Sequence, residues 1–185
     1  GIVLPNGHFE NPSLDYLKYY IKQKAKILGV INLPQETFIP YGTGVKTSLL
    51  FLEKQTLTNE LKYPLFFGKI TKLGYQGNKN GTPIYLKDAF GNTIIDNGVP
   101  QIDEDFSDVL SDYKQYKQYG CRSFDSLSYV IDYNELNSRL DYDFYSPANH
   151  EVLNKISASS VKLGDIVDIV KIKKSPKLKD MISDF

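Results

Sequence analysis

The apolar positions of this 185-residue chain fall in short runs broken by proline, glycine and asparagine, not in long stripes. Residues 1–4 form an apolar run that predicts a buried strand, cut off by a Pro5-Asn6-Gly7 turn. Leu14, Leu17 and Ile21 then recur at helical spacing. Asn11 as cap, Pro12 at the first helical position and Asp15 in the first turn predict a helix that ends near Lys24. Residues 26–33 and 47–53 read as the next two strands. Between them Pro34, Pro40, Gly42 and Gly44 rule out a continuous helix or strand. That segment is a loop carrying Phe38 and Tyr41, and loops on a rigid scaffold are where function concentrates. The run Leu49-Leu50-Phe51-Leu52 predicts a strand buried on both faces, as in a parallel or mixed sheet. Strand, helix, strand, loop, strand is the back half of an open α/β sheet, with its last two strands expected at an antiparallel edge.

Downstream, residues 87–100 alternate weakly around two turn signals and predict an irregular hairpin. A helix is expected over residues 103–119, ended by Gly120. Asp103, Glu104, Asp105, Asp108 and Asp112 crowd its beginning, where carboxylates cap and stabilise a helix; a metal cluster is the sharper alternative. Tyr113, Tyr116 and Tyr119 recur every three residues and predict a packing face toward a missing domain or partner. Residues 126–133 alternate as a half-buried strand does, and residues 147–156 suit a short helix. Lys171, Lys173, Lys174, Lys177 and Lys179 form the one basic concentration, compatible with phosphate contacts but read in preference as a solvated, frayed tail.

Composition narrows the choice of function. The 22 basic and 22 acidic residues cancel, which argues against wholesale wrapping of nucleic acid but not against a face that touches DNA within a larger assembly. Arg122 and Arg139 are the only arginines, and the abundance of Lys, Asn, Ile and Tyr reads as AT-rich coding bias. Cys121 stands alone, so no internal disulfide or thiol-rich metal site is possible, and a reduced cytoplasmic setting is expected. His8 and His150 are far apart in sequence, and no metal is expected. No apolar run approaches the ~20 residues of a membrane span, and nothing at the start resembles a secretion signal. A first residue lying inside a strand suggests a fragment of a longer protein.

Two apparent motifs fail on physical grounds. The segment from Gly42 to Thr47 has the outline of a phosphate loop, but Val45 replaces the glycine before Lys46 and the segment feeds a strand, not a helix. Gly74 and Gly77 have the spacing of a nucleic-acid GxxG loop, yet residues 77–81 read better as a turn between strands, in which Lys79 is solvated or brushes a phosphate.

The succession GIVLPNG, NPSLDYLKYYI and ILGVINLPQETFIPYGTGVKTSLLFLEK resembles the adenine-N6 DNA methyltransferases, and most of all the modification subunits of type I restriction systems and their fused relatives. The likeness is dense over the first third of the chain. It continues through YPLFFGKITKLGYQGNKNGTPIY, and SRLDYDFYSPANHEVLNKI followed by VKLGDIVDIVK resembles the passage into a target-recognition domain. The resemblance implies an α/β fold: the C-terminal half of a Rossmann-like, S-adenosylmethionine-dependent methyltransferase sheet, followed by an α+β extension. On that basis residues 1–72 belong to the catalytic domain, 73–145 to the extension, and 146–185 to a linker helix and the start of the DNA reader.

The family's catalytic Asn/Asp-Pro-Pro-aromatic tetrapeptide is absent, as is its acidic and glycine-bearing cofactor motif. The isolated chain is therefore expected to be inactive and to bind no cofactor, with S-adenosylmethionine belonging to the parent enzyme. In the family an aromatic residue after the penultimate motif stacks on the flipped adenine, and Phe38 holds the matching position. Base–aromatic stacking contributes ~1–3 kcal/mol, comparable to the cost of unstacking. Tyr41 and the backbone of Gly42 and Gly44 are expected to line the same pocket. Lys46, Lys79, Lys173 and Lys174 are the candidate phosphate contacts. The implied partners are double-stranded DNA, a specificity subunit or fused target-recognition domain, and in some assemblies a restriction subunit; no membrane is implied. The alternative is a non-enzymatic module that contacts DNA or docks separate catalytic chains.

Overall fold

The computed structural model describes residues 1–54, 63–161 and 163–167. The apolar runs become one five-stranded mixed sheet. Its strands are β1 (Ile2–Pro5), β2 (Ala25–Asn32), β3 (Thr47–Lys54), β4 (Pro64–Lys69) and β7 (Ser128–Asp132), in the order β1-β3-β2-β4-β7. β3 is antiparallel to both β1 and β2, β4 is parallel to β2, and β7 is antiparallel to β4. β1, β2 and β4 therefore point the same way. Their carboxyl ends, at Pro5, Asn32 and Lys69, meet where β3 begins: Pro5 pairs with Thr47, and Asn32 pairs with both Ser48 and Lys69.

The expected antiparallel pairing of β2 with β3 is present, but β1 closes that side of the sheet. With a strand on one side only, β1 is an edge, and its Ile2 is 47% exposed where a buried strand was expected. The strand ends in the expected turn at Asn6, and the chain then enters the single-turn helix α1 (Gly7–Glu10), whose Phe9 is buried in the core. β3 is also less buried than its sequence suggests. Leu50 is fully covered while Phe51, on the opposite face, is 41% exposed. The strand with both faces buried is β4, whose Leu65, Phe66 and Phe67 are all inaccessible; the sequence pattern had assigned it no element.

Two apolar clusters cover the two faces. Phe9, Ile27, Val30, Leu50, Leu65 and Phe67 belong to the first, against which Ile21 packs from helix α2 (Asp15–Lys24). α2 starts as expected: Asn11 Oδ1 accepts from the Ser13 amide at 3.0 Å, and a 3-10 turn over Pro12–Leu14 leads into the helix. The second cluster joins Leu33, Phe66, Ile70 and Val130 to Val109 of helix α3 (Phe106–Tyr119). α3 begins later than residue 103, and of the carboxylates before it Glu104 bonds the first turn while Asp105 turns to a residue outside the helix. Glu104 accepts from the Ser107 amide at 3.1 Å and Asp105 from the Thr71 amide at 2.9 Å. Gly120, at φ 69°, ends the helix. Tyr113 and Tyr116 do not face outward to a partner: both pack on Phe66, at ring-centroid distances of 5.4 and 5.9 Å, and only Tyr119 is left in solvent. β7 is buried throughout most of its length instead of alternating, because Tyr129 and Ile131 enter the first cluster and Val130 the second.

The expected irregular hairpin contains β5 (Ile95–Asp96) and β6 (Val99–Pro100), joined at Asn97-Gly98, where both residues have positive φ as a type I′ turn requires. After β7 come α4 (Tyr142–Tyr145) and α5 (Pro147–Ser159). The chain divides into compact units of residues 1–149 and 150–185. The described part of the second unit is the remainder of α5 and a 3-10 turn over Leu163–Asp165. No described helix is long and apolar enough to cross a membrane.

Candidate functional site

In an open α/β sheet ligands bind outside the carboxyl ends of the parallel strands. Here that end is built from the residues following β1, β2 and β4. A polar chain ties the strands together: Asn32 donates to Ser48 Oγ at 3.3 Å, and Ser48 Oγ donates to Asn6 Oδ1 at 2.8 Å. All three side chains are buried, so each satisfied hydrogen bond fixes the relative position of the strand ends. The Asn6 amide also donates to the Lys46 carbonyl at 2.9 Å, which brings the end of the long loop back onto β1.

That loop leaves Asn32 through Leu33 and Pro34 and forms a 3-10 helix over Gln35–Tyr41. Pro40 sits inside it, and Gly42, at φ 95°, ends it by donating to the Ile39 carbonyl at 3.0 Å. The irregular segment expected from the prolines and glycines thus holds one short helical piece. The turn over residues 74–81 buttresses it. The Tyr75 phenol donates to the Thr37 carbonyl at 2.6 Å, and a Cβ on Gly77 would lie 2.5 Å from Glu36 Cγ. Burial, with the neighbouring Tyr41 second, pushes the Tyr75 phenol up.

On the other side of the strand ends, α4 supplies Asp143. Its carboxylate accepts from Lys46 Nζ at 3.1 Å and from Lys69 Nζ at 2.9 Å. Burial acts to raise this carboxyl, but the two lysines outweigh it and hold it below the ordinary carboxylate range. Lys69 Nζ also lies 5.4 Å from the centre of the Tyr142 ring, a cation–π contact. Burial pushes the Tyr142 phenol up to about 12.

The candidate residues fall into distinct environments. Phe38 is half-buried and packs against the second cluster. Tyr41 is 82% exposed, and Gly42 and Gly44 are exposed beside it. Lys46 lies at the same end of the sheet but is engaged by Asp143. Lys79 is exposed in the turn whose Gly77 abuts the loop at Glu36. Lys173 and Lys174 lie outside the described residues. Sequence reasoning missed Lys69, Asp143, Tyr75 and the Asn6–Ser48–Asn32 chain. Lys69 had a local signal, a lone cation at the end of the apolar run Leu65–Phe67; Asp143 had none, being 97 residues from Lys46. The acidic cluster before α3 is dispersed into caps and pairs, with Asp103 on Lys72 at 2.8 Å, and among the described residues no group of His, Cys, Asp and Glu is arranged to hold a metal.

The fold and this end of the sheet define a mixed α/β protein with a polar site at the carboxyl ends of three parallel strands. No protein-family model and no curated protein sequence matches the chain. Among solved structures, it is similar to a chain from the structural basis of complex assembly and conformational transition of the type I R-M system, at 20% identity over 84% of this chain and a TM-score of 0.46. This chain spans 31% of the length of that one.

Proposed function

We propose that this chain is part of a site-specific DNA adenine-N6 methyltransferase of a restriction-modification system, contributing one wall of the target-base pocket and the junction to the DNA reader. The observation that carries the reading is the convergence of β1, β2 and β4 at their carboxyl ends with the 34–46 loop returning onto that same end. It joins the sequence resemblance over β1, α2, β2 and β3 to the position where an open α/β sheet holds its ligand.

An enzyme acting on a base must draw it from the stack and hold it by aromatic faces and edge hydrogen bonds. In this proposal Phe38 and Tyr41 supply the aromatic faces, and the turn at Gly42 and Gly44 lets backbone approach the base closely. S-adenosylmethionine and the catalytic tetrapeptide belong to parts of the parent protein outside this sequence, and double-stranded DNA is read by a specificity subunit or a fused reader domain.

The test is methyl transfer by the full parent protein, using tritiated S-adenosylmethionine and DNA from cells lacking adenine methylation. Nucleoside analysis should find the label on N6-methyladenine, and Phe38→Ala should reduce the rate at subsaturating DNA. Label on cytosine, or no transfer in the presence of the reader subunit, would overturn the reading.

A further inference from the structure

Lys46 and Lys69 come from the ends of different strands yet address one carboxylate, a single lysine to each oxygen of Asp143. The side chains of Lys46, Lys69 and Asp143 are 41%, 31% and 44% exposed, so an anion arriving from solvent reaches all three. Two cations against one anion leave a net positive charge at the sheet end where an open α/β fold presents its ligand site. Exposed lysine–carboxylate pairs are weakly held and screened by salt. The Asp143 carboxylate is therefore open to exchange for another anion that offers an oxygen to each lysine.

We propose that Lys46 and Lys69 form a binding site for a phosphate group, and that Asp143 occupies the site until a phosphate displaces it. This rests on the methyltransferase reading for the source of the phosphate, which is the backbone of bound DNA. Lys46 stands two residues beyond Gly44, so a phosphate held there lies beside the loop assigned to the flipped base. The Lys69 ammonium is restrained by the Tyr142 ring, the Lys46 ammonium is carried on a backbone anchored where its carbonyl accepts from Asn6, and both act as point charges suited to phosphate. Exchange breaks no covalent bond; the lysines trade one anionic partner for another.

The test is binding of a fluorescein-labelled DNA duplex to the full chain, followed by anisotropy across a potassium chloride series. Lys46→Gln and Lys69→Gln should each reduce the slope of log affinity against log salt by about 0.9. Asp143→Asn should bind several-fold tighter than wild type at low salt, and that gain should vanish when both lysines are also replaced. Unchanged slopes, or an Asp143→Asn protein of native circular dichroism that binds no tighter, would overturn the site; if Asp143→Asn does not fold, the lysine slopes decide. Inorganic phosphate provides the second arm. Displacement of the duplex by phosphate equally in wild type and in the double lysine variant puts the anion elsewhere and overturns the proposal. Phosphate binding that depends on both lysines, without duplex binding, assigns the site to free phosphate and overturns the DNA source. Methyl transfer by the parent with none of these variant effects sinks the site and leaves the enzyme; the converse sinks the enzyme and leaves the site.

Discussion

The Lys18 ammonium lies 3.1 Å from the Asn11 carbonyl and 2.7 Å from Asp15 Oδ1, on a side chain almost wholly removed from solvent. It also reaches the Phe9 carbonyl at 3.5 Å, so one buried cation closes the chain between α1 and α2. A buried charge is tolerated only when paired and hydrogen-bonded, as here. Lys18→Met keeps the volume, and the Asn11 and Phe9 carbonyls keep the Leu14 and Leu140 amides as donors, but buried Asp15 Oδ1 loses its cation, and an unsatisfied buried group costs about 1–3 kcal/mol. The urea midpoint should fall with the m-value unchanged. An unchanged midpoint would mean that water replaces the ammonium.

Gly68 lies where α3 crosses β4. A Cβ there would come within 2.7 Å of Val109 Cγ1 and 3.1 Å of Ile31 Cδ1, so the close approach of helix and sheet depends on the missing side chain. Gly68→Ala should overpack this contact at a cost of about 1–3 kcal/mol. Val109→Ala should be destabilising by itself through the cavity it leaves. Combined, the two should cost less than their sum, with a coupling of about 0.5–3 kcal/mol in a double-mutant cycle. Strict additivity would contradict the helix–sheet contact.

These contacts mark the limit of what the sequence alone discloses. The cap at Asn11, the end of α2 at Lys24, strands β2 and β3 and the stop at Gly120 were legible because each depends on residues within one helical turn or one strand. The role of β4 was not. A continuous apolar run such as Leu65-Phe66-Phe67 fits a central strand, but only the pairing with β2 and β7 makes it one. The same applies to Tyr113 and Tyr116, whose helical spacing suggested a face without revealing that Phe66 fills it. At the site, the loop and Lys46 stood out through prolines, glycines and charge. Asp143 did not, since an ion pair spanning 97 residues leaves no local pattern.

Buried tyrosines make stability sensitive to alkali. Burial pushes the phenols of Tyr63 and Tyr142 up to about 12, and raises that of Tyr129, which donates to the Tyr142 carbonyl. Unfolded tyrosine titrates near 10. The fold therefore favours the neutral phenols: the contribution of Tyr63 and Tyr142 is complete below about pH 10 and is lost as pH rises through about 12. Urea midpoints should decline across that window, together with tyrosinate absorbance. Tyr142→Phe should lessen the decline by close to one proton; an identical pH dependence would exclude Tyr142 as a contributor.

The two aromatics of the 34–46 loop should separate stability from ligand binding. Phe38 is half-buried against the second cluster, so Phe38→Ala should lower stability by about 1–3 kcal/mol through lost packing, whatever its effect on DNA. Tyr41 is 82% exposed, and its removal should leave the urea midpoint within about 0.5 kcal/mol of wild type. If Tyr41 contributes a stacking surface for a flipped base, Tyr41→Ala should weaken binding of a duplex with an unpaired target adenine by about 1–3 kcal/mol. Tyr41→Phe, which keeps the ring, should restore most of it. Weakened binding in both variants would assign the effect to the phenol hydroxyl, and no change in either would remove Tyr41 from the pocket, leaving Phe38 to act from its partly buried position.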